Sequence, residues 1–534
     1  MIFYKFTVQK DSWYAEIAIT QERVDFVTSD PEEIIDLYND YKNDLWIAFN
    51  GNNYDRFILK SIIAGINPYG VHEHIMKGLS GWSYSETLNY IPLSSYDAML
   101  SRQYSLKQLT AFQGREVKDS IEDLMYVFAY QVNSFLTKLD LLLEFKLPLK
   151  HMDKTETQLL AYILRAKKLN RYDDWEITIL NHELGKYSHI NDWYLNDDES
   201  LEAEVAGVPH RYGLGGLHGA RKNYIGKGFF ILADCKSMYP TIIDKYNFLS
   251  RNVSYPKKYS QLLKKRFTLQ KKKDSKELVY KSIVNKGFGA SGDQFSLMYD
   301  MQQYHNVVIN GQLFMTDLID KLDPYIELIQ TNTDGVLFKI DEKDFDLVDC
   351  VCAEWEERTG LTLAFKYYDY VYQKDVNNYI FIGDKVEAAG AYVKDLNHLD
   401  NDLPIVNRAI REYFINGVDV SEIINKSNSL IDFQRIIKAE TIDYGGEYLY
   451  DKVYRVFADK YGQSILRINK GKKTKIGNIP DFCRIVNEDI VGQPIPGWLN
   501  KQWYIDLANK RVNEFLGVKN TAKNDSVVEQ ISFW

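Results

Sequence analysis

The spacing of apolar and polar positions divides the middle of the chain into strands and helices. Phe229-Phe-Ile-Leu-Ala233 is an unbroken apolar run ending at Asp234, the pattern of a strand buried on both faces, and Ser237 to Pro240 turn the chain toward a helix. Ile326–Gln330 and Val336–Ile340 are two more strand-like runs, and Asp334-Gly335 between them predicts a tight hairpin. The period becomes helical from about Ser275 to Gly287. There Lys281, Asn285 and Phe288 fall at i, i+4 and i+7 on one face, while Val279 and Ile283 face the other way and can pack. Further on, Leu403 to Lys438 reads as amphipathic helix and Val453 to Ile476 as strands.

Charge sharpens this picture. The 534 residues carry a net charge of −9, yet Lys257 to Lys286 holds eleven Lys or Arg against Asp274 and Glu277, a local +9. An acidic chain can still bind nucleic acid, because affinity depends on local phosphate contacts. Arg467-Ile-Asn-Lys-Gly-Lys-Lys-Thr-Lys475 is a second basic patch on an expected hairpin, suited equally to phosphate contact or to a solvated turn. The four cysteines form no C-x-x-C pair, so neither zinc nor disulfides are indicated. With no signal sequence and no apolar run of membrane length, a reducing cytosol is the expected location, the host cytoplasm if the chain is viral. Its length suggests three or four domains.

Two carboxylates on neighbouring strands, Asp234 and Asp334, can share a pair of magnesium ions, which take few protein carboxylates and keep phosphate and water as ligands. The intervening basic helix offers a cation, an amide and an aromatic ring side by side, a set suited to a nucleoside triphosphate.

In these residues the chain resembles the family B DNA polymerases, most closely the compact ones of bacteriophages. The first polymerase motif, Asp-x-x-Ser-Leu-Tyr-Pro, is matched by Asp234, Ser237, Met238, Tyr239 and Pro240. The second, Lys-x-x-x-Asn-Ser-x-Tyr-Gly, is matched by Lys281, Asn285, Lys286, Phe288 and Gly289, and the third, Asp-Thr-Asp-Ser, by Asn332, Thr333, Asp334 and Gly335. Tyr212-Gly-Leu-Gly-Gly-Leu-His-Gly219, with Gly215 and Gly216, and Asp375-Val-Asn-Asn-Tyr379, with Lys374 nearby, extend the resemblance to the family's DNA contacts. The departures are Asn332 for the first acid of the third motif, Phe288 for tyrosine, and Asn377-Asn378-Tyr379 for the family's Lys-x-Tyr.

The resemblance implies phosphoryl transfer with two Mg2+ ions, for which Mn2+ can substitute. Asp234, Asp334 and the carbonyl of Cys235 would hold the metals, and Lys281 and Arg266 would neutralise the triphosphate. Tyr239 would lie beneath the sugar and exclude a 2′-hydroxyl, with Ser237, Met238, Asn285 and Phe288 completing the dNTP site. Expected partners are primer–template DNA, dNTPs and a processivity factor or other replication protein, with no membrane.

Ile47-Ala-Phe-Asn-Gly-Asn-Asn-Tyr-Asp-Arg56 is similar to the second motif of the 3′–5′ exonuclease that precedes these polymerases, with Asn50 and Asp55 matching. The family's opening Asp-x-Glu aligns with Tyr4 and Phe6, and Gln131 or Tyr130 stands where the last acid belongs. Asp55 alone cannot hold two magnesium ions, so an exonuclease-like fold without the reaction is expected.

The expected architecture is α/β and multidomain. A ribonuclease H-like exonuclease-fold domain with its linker occupies 1–206, ending in the acidic stretch 196–200. A right-hand polymerase follows, with palm 207–250, fingers 251–290, palm 291–390 and thumb 391–534. Lys281 lies 47 positions after Asp234 and 53 before Asp334, too close for the inserted subdomains of protein-primed polymerases, so oligonucleotide priming is expected. Three readings stay open: a template-directed DNA polymerase without proofreading, a catalytically silent polymerase-shaped DNA-binding or scaffold subunit, and a primase-polymerase or lesion-bypass polymerase.

Overall fold

The computed structural model describes all residues except 101–102, 170–175, 197–199, 391, 398–399 and 519–534. Most of the acidic stretch at 196–200 and the end of the expected thumb therefore lie outside the described residues.

The N-terminal part is built on a five-stranded sheet. Its order is Val24–Thr28, Trp13–Ile19, Ile2–Val8, Trp46–Ala48 and Ser95–Asp97; the first three strands are antiparallel, and the last two run parallel to Ile2–Val8. Helices Asp55–Ile63 and Ile121–Tyr130 both contact the central strand. One face of that strand buries Tyr4 and Phe6 with Trp46 and Phe57; Phe3, on the other, joins Ile47, Phe128 and the larger core.

A nine-stranded antiparallel sheet dominates the centre. From one edge it runs Val386–Ala389, Asn378–Ile382, Leu363–Asp375, Tyr224–Cys235, Gly335–Ile340, Glu327–Asn332, His218–Ala220, Val208–Tyr212 and Leu201–Val205. The hairpin Leu201–Val205/Val208–Tyr212 spans the expected 206/207 boundary, and both its strands belong to this sheet. In the central strand Tyr224–Cys235, Ile231 and Ala233 point into the core shared with the helices, whereas Phe230 and Leu232 pack in a smaller cluster with Tyr368 and Phe381. Period-2 alternation places Asp234 on the face of Phe230 and Leu232.

The helix Met301–Leu322 lies in the core and is buried along almost its whole length. Its polar stripe is satisfied by the segment before the large sheet. Asn306 and Asn310 accept from the Thr178 and Leu180 amides at 2.9 and 2.8 Å, and Asp317 accepts from the Glu183 amide and pairs with Arg358. Nothing in the apolar pattern announces this clamp.

The basic segment folds as the helical hairpin Lys257–Lys271 and Glu277–Gly292, the second helix running five residues past its expected end at Gly287. In the C-terminal part, helices Pro404–Asn416, Val420–Lys426 and Lys501–Phe515 share a separate core. The expected helix to Lys438 is interrupted at Gly417, whose left-handed φ of 66° ends Pro404–Asn416, and Arg435–Lys438 is instead a strand paired with Val453–Gln463. The second basic patch forms the hairpin Ile465–Asn469/Lys472–Lys475. Among the described residues no helix is long and apolar enough to cross a membrane, and all four cysteines are free.

Candidate active site

Asp234 is the penultimate residue of its strand, opposite Gly335 on one side and Ala364 on the other. Both cross-strand neighbours are small, so neither of their side chains crowds the carboxylate. A Cβ built on Gly335 would come within 3.7 Å of Asp234 Oδ1.

Asp334 is carried by the turn between Glu327–Asn332 and Gly335–Ile340. The register pairs Asn332 with Gly335, so the two loop residues are Thr333 and Asp334. The turn thus falls one position earlier than the Asp334-Gly335 signal predicts. Three backbone contacts hold it there: Thr333 N donates to Leu217 O, Asp334 N to Asn332 O, and Cys235 N to Asp334 O, each at 2.7 Å. The bond from residue 334 back to 332, with Thr333 at φ 54°, is a tight three-residue turn of the strained positive-φ hand, here on a β-branched residue. Gly216 makes it possible: its φ is 132°, and a Cβ there would sit 3.1 Å from Thr333 Oγ1.

The two acids feel each other. Burial first, then the neighbouring Asp234, pushes the Asp334 carboxyl up to about 6, opposed by its own backbone amide and Lys366. Asp234 is also raised by burial, with Lys366 opposing and Glu387 adding to the shift. A carboxylate pair destabilised in its charged form, with small residues on both sides, suits divalent cations. Among the described residues no three His, Cys, Asp or Glu side chains cluster closely enough to hold a metal by themselves. Two protein carboxylates completed by substrate phosphate and water is the coordination magnesium favours.

The segment after Asp234 binds the helical hairpin to this site. Ser237 adopts a left-handed φ of 53° just before helix Met238–Lys245, and its Oγ accepts from Arg266 Nη1 at 2.7 Å. Arg266 is buried, pairs with Glu277 at 3.0 Å and donates to Asn285 Oδ1 at 3.3 Å. This corrects the expectation that Arg266 faces the triphosphate. It shares the inward stripe of Tyr259, Leu262, Leu263 and Leu269, and its charge is already committed within the hairpin. Lys281 and Asn285 are exposed on the second helix, as the spacing predicts. Lys286 pairs with Glu156.

Phe288 differs as well. Its ring lies between Tyr239 at 4.4 Å and Tyr304 at 4.6 Å, so it supports Tyr239 and is not a free platform. Tyr304 donates to Leu214 O, and Met238 is buried in the core.

The residues matched to DNA contacts divide. Gly215 has open space around it and Gly216 abuts the Asp334 turn. Tyr212 is fully buried, and its hydroxyl bonds Thr316 at 2.9 Å; it follows Val208 and His210 on the inward side of its strand and cannot meet DNA. Lys374 pairs with Glu514 at 3.3 Å, and Tyr379 stacks on Phe381 at 4.1 Å.

In the N-terminal sheet Tyr4 and Phe6 are core residues. Asp55 accepts from the Phe6 amide at 2.8 Å, and burial pushes its carboxyl up to about 7. Asp97, which the motif reading missed, holds the loop after Trp46–Ala48 by accepting from the amides of Asn50 at 2.8 Å and Asn52 at 3.1 Å. The buried Tyr4 hydroxyl has no hydrogen-bond partner, and its phenol is raised by burial first and then by Asp55 and Asp97, with Arg56 opposing. Gln131 lines a small cavity with Leu109, Gln113, Tyr126, Val127 and Tyr130.

No protein-family model matches the chain, and no curated protein matches it. Among solved structures, the family B DNA polymerase from the hyperthermophilic archaeon Pyrobaculum calidifontis aligns over 98% of this chain and 78% of its own, with a TM-score of 0.44 and 12% identity.

Proposed function

We propose that the chain is a template-directed DNA polymerase that extends a primer 3′-hydroxyl with dNTPs and does not proofread. One observation carries the reading: the acid pair Asp234/Asp334, flanked by Gly335 and Ala364, lies beside a basic helical hairpin that is tied to it through Arg266 and Ser237. A scaffold has no use for a pair of partly buried carboxylates that oppose each other's ionisation. That cost is recovered when cations and phosphate bind.

In this reading Asp234, Asp334 and the Cys235 carbonyl would hold two magnesium ions. Magnesium would supply activation of the primer hydroxyl and neutralisation of the leaving pyrophosphate. Lys281, from the exposed helix face, meets the triphosphate. Arg266 acts from behind, orienting Ser237 and Asn285. Tyr239, held against Phe288, presents its ring edge to the sugar and disfavours a 2′-hydroxyl. The N-terminal sheet is an exonuclease-like fold whose acids now hold backbone amides, which supports the absence of editing.

The test is primer extension on a labelled primer–template with magnesium, with and without dNTPs, beside Asp234→Ala. Extension by the native chain alone, with an intact primer when dNTPs are withheld, is the expected result. Binding without extension favours the silent scaffold, and shortening of the primer overturns the assignment of the N-terminal part.

A further inference from the structure

Lys366 and Glu387 lie beside the acid pair and belong to none of the sequence motifs. Lys366 stands opposite Leu232 in the register, two positions along from Ala364, which faces Asp234. It therefore shares the Asp234 face of the sheet as a diagonal neighbour, roughly 7 Å away between Cβ atoms in such pairings. Its ammonium lies 2.7 Å from Glu387 Oε2, and the same carboxylate oxygen accepts from the Tyr368 hydroxyl at 2.9 Å. Lys366 is half exposed and Glu387 one-third exposed, so the pair borders the open site. The field of Lys366 favours ionisation of both Asp234 and Asp334, and that of Glu387 opposes it at Asp234.

We propose that Lys366 is a built-in counter-ion to the acid pair, held off it by Glu387 and Tyr368, and that this ion pair sets the affinity of the site for divalent cations. The inference rests on the proposed polymerase reading, in which Asp234 and Asp334 take the cations. In the cation-free chain the ammonium offsets two carboxylates that would otherwise repel. When a cation enters, the same ammonium opposes it, and Glu387 keeps the lysine from closing onto the acids. Lys366 is a positioning residue in this scheme and touches no reacting atom.

Electrostatics then gives the two partners opposite effects. Removing Lys366 removes a repulsion on the incoming cation. Neutralising Glu387 removes an attraction and also frees the lysine to turn toward the acids. For a unit charge acting on a divalent ion across several ångströms of partly solvated protein, each change amounts to roughly three- to tenfold in affinity. A pair serving only to hold the strands together would move affinity in the same direction whichever partner was lost.

The experiment is Mn2+ binding to the full-length chain without DNA, followed by the loss of the free-ion paramagnetic resonance signal. The proteins are wild type, Lys366→Met, Lys366→Arg, Glu387→Gln and Asp234→Asn. We expect Lys366→Met to bind about three- to tenfold more tightly, Glu387→Gln correspondingly more weakly, and Lys366→Arg close to wild type. Wild-type binding that Asp234→Asn abolishes but Lys366→Met leaves unchanged or weakens would overturn the counter-ion role and leave the polymerase reading standing. Glu387→Gln gives the same decision if Lys366→Met does not fold. Wild-type binding that does not depend on Asp234 would overturn the polymerase reading, and this inference with it.

Discussion

Arg266 Nη1 donates to Ser237 Oγ at 2.7 Å, so the helical hairpin is fastened to the bend that immediately follows Asp234. The same guanidinium is neutralised by Glu277, and both partners are largely buried. Any movement of the hairpin therefore pulls on the residue that orients the start of helix Met238–Lys245.

Arg266→Ala should accordingly cost stability as well as activity. It leaves Glu277 buried and unpaired, a loss of about 3–5 kcal/mol for pairs of this kind. Replacing both residues with Met should recover much of the stability and little of the activity, because Ser237 and Asn285 still lose their donor. Thermal melts of the single and double variants, with steady-state dNTP kinetics, check this. A single variant that melts like wild type would mean that the pair is not formed.

Asp334 makes a prediction whose sign is unusual for an acid. Its folded-state carboxyl is raised to about 6, so the folded chain holds a proton that the unfolded chain gives up near pH 4. Stability contributed by this group is present below about pH 4 and is lost as the pH rises through about 6. Asp334→Asn should therefore abolish synthesis yet stabilise the cation-free protein at pH 8 by about 1–3 kcal/mol. Magnesium should raise the melting temperature of wild type and not of the variant. Melts at pH 5 and pH 8, with and without magnesium, test both parts.

Tyr239 is placed by contact with Phe288 and with Gly311, whose added Cβ would lie 3.0 Å from the ring. Tyr239→Ala should admit ribonucleotides and lower stability by about 3 kcal/mol through loss of a packed ring. Tyr239→Phe should keep both the discrimination and the fold, because the ring carries the exclusion. Incorporation ratios for ribo- and deoxynucleotides decide it: unchanged discrimination in the Ala variant counts against the gate.

What the sequence disclosed and what it withheld follow a physical line. The acid at the end of the Phe229–Ala233 run and the acid in the next hairpin were legible because apolar runs bounded by turn residues define strands locally. The exposed Lys281/Asn285 face was legible because helical period is local too. The burial of Arg266 is implicit in the spacing of Tyr259, Leu262, Leu263 and Leu269, which puts it on the inward stripe, although the surrounding lysines mask that stripe in the charge pattern. Tyr212 likewise follows Val208 and His210 with period 2. Other relationships depend on cross-strand register or on segments more than a hundred residues apart. Ala364 beside Asp234, Lys366 beside Glu387, and Asn306 and Asn310 on the 178–180 backbone are of this kind, and no local pattern reports them.

Asn332 ends its strand opposite Gly335 and beside the Asp334 turn. Asn332→Asp would add a third negative charge next to two carboxylates that already repel. Cation affinity should rise, and the acid limb of the activity profile should move to higher pH as Asp334 becomes harder to ionise. Maximal synthesis at saturating magnesium should stay the same or increase. Activity measured against pH and magnesium tests this; a severe loss at saturating metal would mean that the site uses another geometry.

Asp55 distinguishes a working exonuclease acid from a structural one. It is buried, accepts the Phe6 amide, and is raised to about 7, so folding penalises its charged form. The stability tied to it is present at low pH and lost as the pH rises through about 7. Asp55→Asn keeps an oxygen for the Phe6 amide and removes the buried charge. The variant should therefore be at least as stable as wild type at pH 8, by up to about 2–4 kcal/mol, and should lose that advantage at pH 5. Synthesis should be unaffected, and neither protein should shorten a primer without dNTPs. A nuclease activity present in wild type and lost in Asp55→Asn would overturn the structural role, because it would require Asp55 to bind metal while it holds the Phe6 amide.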